Sequence, residues 1–177
     1  MKIFKNIELR RSLSASFLFF SLFLLIACGS SNTAIDNENF KELQELVSKG
    51  QFEIENNLAY PNNGGNINLI GNPNHIKFNK DSVDVFLPYF GVRHSGGSYG
   101  SDQGGIKYEG IAKNIKTSEQ PEKDRIEITF EALKDGESLD FRVTLYPNNN
   151  VRTYVISSQR TTISYEGKLS EFEENEN

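Results

Sequence analysis

Cysteine occurs once in this 177-residue chain, at Cys28, and histidine only twice, at His75 and His94; tryptophan is absent. A single thiol excludes internal disulfides and cysteine-cluster metal sites. Two histidines far apart in sequence make no His-x-x-His pair. No glycine-rich stretch is followed by Lys-Ser or Lys-Thr, which excludes a Walker-type phosphate loop. Basic residues are also in the minority, 19 Lys and Arg against 24 Asp and Glu. An acidic chain does not track the nucleic-acid backbone or anionic head groups. The only long apolar run lies at the extreme N-terminus.

That run has the layout of an address signal. Lys2, Lys5, Arg10 and Arg11 stand against the single Glu8, and the apolar stretch Leu13 to Ile26 follows. Its 14 residues fall short of the roughly 20 needed to cross a bilayer, but suit the core of a secretory signal. The stretch ends in Leu25-Ile26-Ala27-Cys28, which resembles the lipobox of bacterial lipoproteins. That resemblance implies cleavage before Cys28 and acylation of its thiol, so Cys28 is the expected lipidation site. Gly29 rather than an acidic residue follows, which in such proteins favours the outer membrane, on its periplasmic side. Removal of residues 1–27 leaves 15 basic and 23 acidic residues, a net charge of −8.

Four segments are expected: a lipoprotein signal peptide (1–27), a small polar tether (28–38), one β-rich domain (39–170) and an acidic frayed tail (171–177). Asn39 followed by Glu42 has the form of a helix N-cap with its box partner. Phe40, Leu43, Leu46 and Val47 recur at helical spacing before Gly50, which predicts a helix over 39–49. Beyond Gly50 the apolar period becomes two. Phe52 and Ile54, Ile76 and Phe78, Val83 to Leu87, Ile126 to Phe130, Phe141 to Leu145, Tyr154 and Ile156, and Ile163 and Tyr165 all alternate with polar neighbours. Turn-forming groups such as Lys134-Asp135-Gly136 and Pro147-Asn148-Asn149-Asn150 separate the runs. The prediction is all-β: nine or ten antiparallel strands in one meander, curled into a barrel or folded as a two-sheet sandwich, with one N-terminal helix. Ile111 to Lys116 is the weakest-patterned strand and basic, as an edge guarded by lysine would be.

Several segments, in matching order, are similar to the bacterial domain-of-unknown-function family 4251. They are Leu87-Pro88-Tyr89-Phe90-Gly91, Gly105 to Gly110, Ile126 to Phe130, Phe141 to Leu145 and Ser157 to Gly167. The resemblance implies an exported β-rich domain. It transfers no catalytic residue.

Candidate chemistry is sparse. Gly96-Gly97-Ser98-Tyr99-Gly100 has the spacing of a hydrolase nucleophile elbow, but no helix-forming sequence follows it and both histidines precede Ser98. Glu53 with Glu55, and Glu127 with Glu131, lie on the polar faces of strands. No enzymatic activity, metal or other cofactor is therefore expected. The segment Gly91 to Gly105 stands apart, with six glycines among fifteen residues. Loops of this length are binding or covering elements, or else disordered. Pro88 ends the strand before it, and Tyr89 and Phe90 are expected to pack over the end of the core. Two functional readings remain open. In the first, a non-enzymatic module holds a small apolar or glycan-like ligand in the barrel interior, with Tyr89, Phe90, Arg93, His94 and Tyr99 as contacts. In the second, an envelope assembly or scaffold protein binds another protein at a strand edge or at the same loop.

Overall fold

In the computed structural model the described residues are 33–95 and 105–172. They form a helix, α1 (Thr33–Lys49), and ten strands. The strands are β1 (Gln51–Pro61), β2 (Ile67–Asn68), β3 (His75–Asn79), β4 (Ser82–Leu87), β5 (Ile106–Ile111), β6 (Lys113–Gln120), β7 (Arg125–Lys134), β8 (Glu137–Leu145), β9 (Asn150–Ser157) and β10 (Ile163–Glu171). The predicted signal, Cys28 and the Gly96–Gly104 part of the glycine-rich loop, with Ser98 and Tyr99, lie outside the described residues.

All strands belong to one antiparallel sheet in the order β5-β4-β3-β1-β10-β9-β8-β7-β6, with β2 beside β1. The first and last long strands are neighbours, and the two ends of the sheet, β5 and β6, are separated only by Ala112. One bent strand thus pairs with β4 through its first half and with β7 through its second. Gly110 (φ 148°) and Asn114 (φ 52°) flank the bend in left-handed conformations, and a register shift follows between Lys113 and Lys116. The sheet is nearly closed into a barrel, so the barrel alternative describes it and the sandwich does not.

The closure works because each strand has one apolar side. Along β7, Ile126, Ile128, Phe130 and Ala132 are buried; along β8, Leu139, Phe141, Val143 and Leu145 are. The interior is packed with aromatic rings. Phe52 stacks on Phe78 at 4.5 Å between ring centroids, Phe78 meets Phe130 edge-on at 5.5 Å, and Phe130 stacks on Phe141 at 4.5 Å. Barrels of eight or so strands have interiors that side chains can fill, and the wholly buried Tyr165, Ile54, Leu69 and Ile76 fill more of this one. At the β7–β8 hairpin both Asp135 (φ 51°) and Gly136 (φ 78°) are left-handed, the backbone of a tight primed turn.

The helix begins six residues earlier than its sequence periodicity predicts. Asn39 is therefore an interior helical residue rather than the cap, and the expected tether gives up Thr33 to Glu38 to the helix. No Gly or Pro interrupts Thr33–Lys49, so nothing stops the helix from running through this polar stretch. Phe40 and Leu43 are buried in the core, with Leu46 and Val47 packed against it. Gln44 Nε2 donates to Glu119 Oε2 (2.6 Å) and Lys49 pairs with Glu171 (3.3 Å), which places α1 at the barrel end where β6 and β10 finish. Ile111 to Lys116 is the junction of β5 and β6 rather than one strand, with Ile111 exposed. β6 lies at one edge of the sheet, as its pattern suggests.

Candidate functional site

The barrel end opposite α1 gathers β4, β8, β9 and β10 at their loop-side termini, and a polar network ties them together. It starts from the inward-facing register of β8, in which Glu137 shares a side with Leu139 and Phe141. A carboxylate there must find partners or remain protonated. Arg160, in the β9–β10 connection, supplies them: Nε donates to Oε1 at 2.7 Å and Nη2 to Oε2 at 3.0 Å. Its third nitrogen, Nη1, donates to the Gly105 carbonyl at 2.7 Å. Ser157 Oγ donates to Glu137 Oε1 (2.5 Å) and accepts from the backbone N–H groups of Gln159 and Arg160. Arg93 adds a longer contact to Glu137 (3.4 Å) and donates to Gln159 Oε1 at 2.7 Å.

Burial alone would raise the Glu137 carboxyl. Hydrogen bonds from Arg160 and Ser157, with the charges of Arg160 and Arg93, outweigh it and hold the group below the usual carboxylate range. The carboxylate is ionised and surrounded by donors, so it is poorly placed to take a proton from a substrate. The Arg160 guanidinium also lies over the Tyr89 ring, 5.2 Å from its centroid, within cation–π range.

The segment after Pro88 is fastened to the same connection. Arg93 and Arg160 form an antiparallel bridge. His94 N donates to the Gln159 carbonyl (2.7 Å), and Thr161 N donates to the Val92 carbonyl (2.9 Å). The Tyr89 hydroxyl lies within hydrogen-bonding distance of the Val92 and Thr161 carbonyls and of Thr161 Oγ1. Tyr165 donates to the Pro88 carbonyl at 2.7 Å, and burial pushes its phenol pKa up. Gly91 makes this packing possible: a Cβ there would fall 2.2 Å from the Tyr89 hydroxyl oxygen and 2.4 Å from Thr161 Oγ1.

Four of the five sequence-proposed contacts, Tyr89, Phe90, Arg93 and His94, therefore sit on one anchored segment; Tyr99 is outside the described residues. Tyr89 packs against the core as expected, but Phe90 does not, remaining 42% exposed beside Val92 at 53%. Sequence reasoning missed Glu137, Ser157 and Arg160. The parity of Glu137 with Leu139 and Phe141 was the available signal, because an inward carboxylate demands a cation.

Other titratable groups lie elsewhere. His75 Nε2 meets Asp84 Oδ2 at 2.8 Å across β3 and β4. On the outer face, Glu166 accepts from Tyr60 (2.8 Å) and pairs with Arg152. Among the described residues no three His, Cys, Asp or Glu side chains converge as metal ligands. Among them too, no helix is long and apolar enough to cross a membrane.

Comparison with known proteins places this geometry. No curated protein matches the chain. The crystal structure of a DUF4251 family protein from Bacteroides eggerthii DSM 20697 is similar to it with a TM-score of 0.56 at 23% sequence identity, covering 78% of this chain and 91% of that one. At that identity the likeness shows the fold. The profile of the family described as "Domain of unknown function (DUF4251)" matches residues 34–169. The match runs from the start of α1 to within two residues of the end of β10, and the chain belongs to the DUF4251 family.

Proposed function

We propose that the protein is a lipid-anchored, non-catalytic module of the cell envelope, which binds another envelope protein through the anchored segment Pro88–Ser95. The observation that carries this reading is the contrast within that segment. Its backbone is fixed by hydrogen bonds with Thr161, Gln159 and Tyr165, yet Phe90 and Val92 remain turned to solvent. A segment held rigid while presenting apolar side chains loses little entropy on binding. The packed phenylalanine interior supports a surface role over the sequence-based reading of a small apolar or glycan-like ligand held inside the barrel. The absence of catalysis rests on the donor-saturated Glu137 and on the separation of His75 from His94.

Anchorage rests on the sequence ending in Cys28, and gives the outer membrane, periplasmic side, as location. Cys28→Ala is expected to leave an unprocessed or soluble precursor; a processed, membrane-bound variant would remove the anchor from this reading. The binding surface is tested with a photoreactive residue in place of Val92, crosslinked in intact cells. A recurrent protein adduct that disappears on Phe90→Asp is expected. A co-purifying small molecule with no protein adduct would overturn it in favour of a ligand-binding role.

A further inference from the structure

On the outer side of β7, β8 and β9, two neighbouring cross-strand rows carry opposite net charge. In one row Thr129 stands opposite Arg142, and Arg142 opposite Tyr154, with Lys116 extending it from β6. In the next, Glu131 stands between Lys113 of β6 and Asp140, and Asp140 stands opposite Ile156. Within a single copy the Glu131–Asp140 pair is unfavourable, because like charges directly across a strand pair are destabilising, while Arg142 has one long contact, to Glu127 at 4.0 Å. Asn114 Nδ2 donates to Glu131 (2.9 Å), but among the described residues nothing hydrogen-bonds or ion-pairs with the Asp140 carboxylate. Beside the charges, Tyr154 and Ile156 are 41% and 46% exposed. A recess of about 480 Å³ runs between these side chains.

We infer that this face is the contact surface of a two-fold symmetric homodimer. An isologous interface needs a patch complementary to itself, and two rows of opposite charge meet that need in one orientation. Arg142 and Asp140 are two residues apart on β8, about 7 Å along the strand. A two-fold axis in the plane of contact, crossing the strands at Phe141, exchanges the rows. Asp140 of each copy then faces Arg142 of the other, whose guanidinium also comes within reach of Glu131. The same operation sets Tyr154 against Ile156 twice. The recess receives the long charged side chains of the opposite copy. An axis along β8 would instead set Arg142 against Arg142, so the charge pattern selects the first arrangement. The inference uses a different face from Pro88–Ser95 and does not depend on the anchor.

The test is sedimentation equilibrium of the full chain in density-matched detergent. The unaltered protein is expected at twice the mass of one chain. Asp140→Arg and Arg142→Asp, both at exposed positions, each place like charges across the interface and should weaken association about tenfold or more. The double variant Asp140→Arg with Arg142→Asp exchanges the two β8 charges and should associate more tightly than either single variant. A monomer at all concentrations, a dimer indifferent to either single change, or a double variant no better associated than the single ones would each overturn the inference.

Discussion

Glu137 and Arg160 are 23 residues apart in sequence and meet as a two-pronged ion pair, with side chains only 7% and 11% exposed. Removing one member of such a pair leaves a buried charge without its partner. Glu137→Ala should therefore destabilise the protein by about 3–5 kcal/mol, measured as a lower midpoint in urea unfolding. Replacing both residues, Glu137→Leu with Arg160→Met, should cost markedly less. Equal losses for the single and double changes would mean that packing, not charge, fastens this end.

The same carboxylate predicts a pH dependence. Its pKa is lower in the folded than in the unfolded protein, so near the ordinary glutamate value, about 4.3, the unfolded chain binds more protons. The stability it contributes is complete above that value and is lost as pH falls through the lower folded value. Urea midpoints measured downward from pH 6 should fall more steeply below about pH 4.3 in the unaltered protein than in Glu137→Gln. Parallel curves would assign the acid sensitivity to other groups.

Gly167 lies where β10 crosses the irregularity in β1 between Asn56 and Leu58. A Cβ there would fall 2.1 Å from the Glu55 carbonyl oxygen and 2.6 Å from the Asn56 Cα. These are backbone atoms and cannot swing aside. Gly167→Ala should cost about 2–4 kcal/mol, seen as a depressed thermal midpoint, whereas Gly64→Ala, which meets nothing, should be near neutral.

Phe130 touches two other rings of the interior stack, Phe78 and Phe141. Phe130→Ala should cost about 3–5 kcal/mol, and Phe130→Leu clearly less, by urea unfolding. A near-neutral Phe130→Ala would mean that the interior collapses readily around the missing ring.

Much of the barrel was legible because each strand of a one-sided sheet alternates. Ile126, Ile128 and Phe130 are buried as that alternation predicts. The first six residues of α1 were not legible, since a polar helical turn carries no apolar period. The bend at Ala112 was hidden for a related reason: β6 is exposed almost throughout, so alternation does not mark where β5 hands over to it. The candidate site was half legible. Tyr89 and Arg93 lie on the segment that the Pro88 break and the glycines drew attention to, whereas Glu137 and Arg160 meet only through tertiary folding. Local spacing does not record that meeting.

The pairing of β1 with β10 has a kinetic consequence. The helix is followed at once by a strand whose partner, Ile163–Glu171, is made last. Contacts between such distant segments form slowly, because a long loop must close before any of them is rewarded. The barrel therefore cannot close on a growing chain. On the proposed route of export, β1 would cross while its partner strand is still on the other side of the membrane. Closure then waits for the final strand to arrive, and until then β1 and β9 each present an unpaired edge to which other chains can bind.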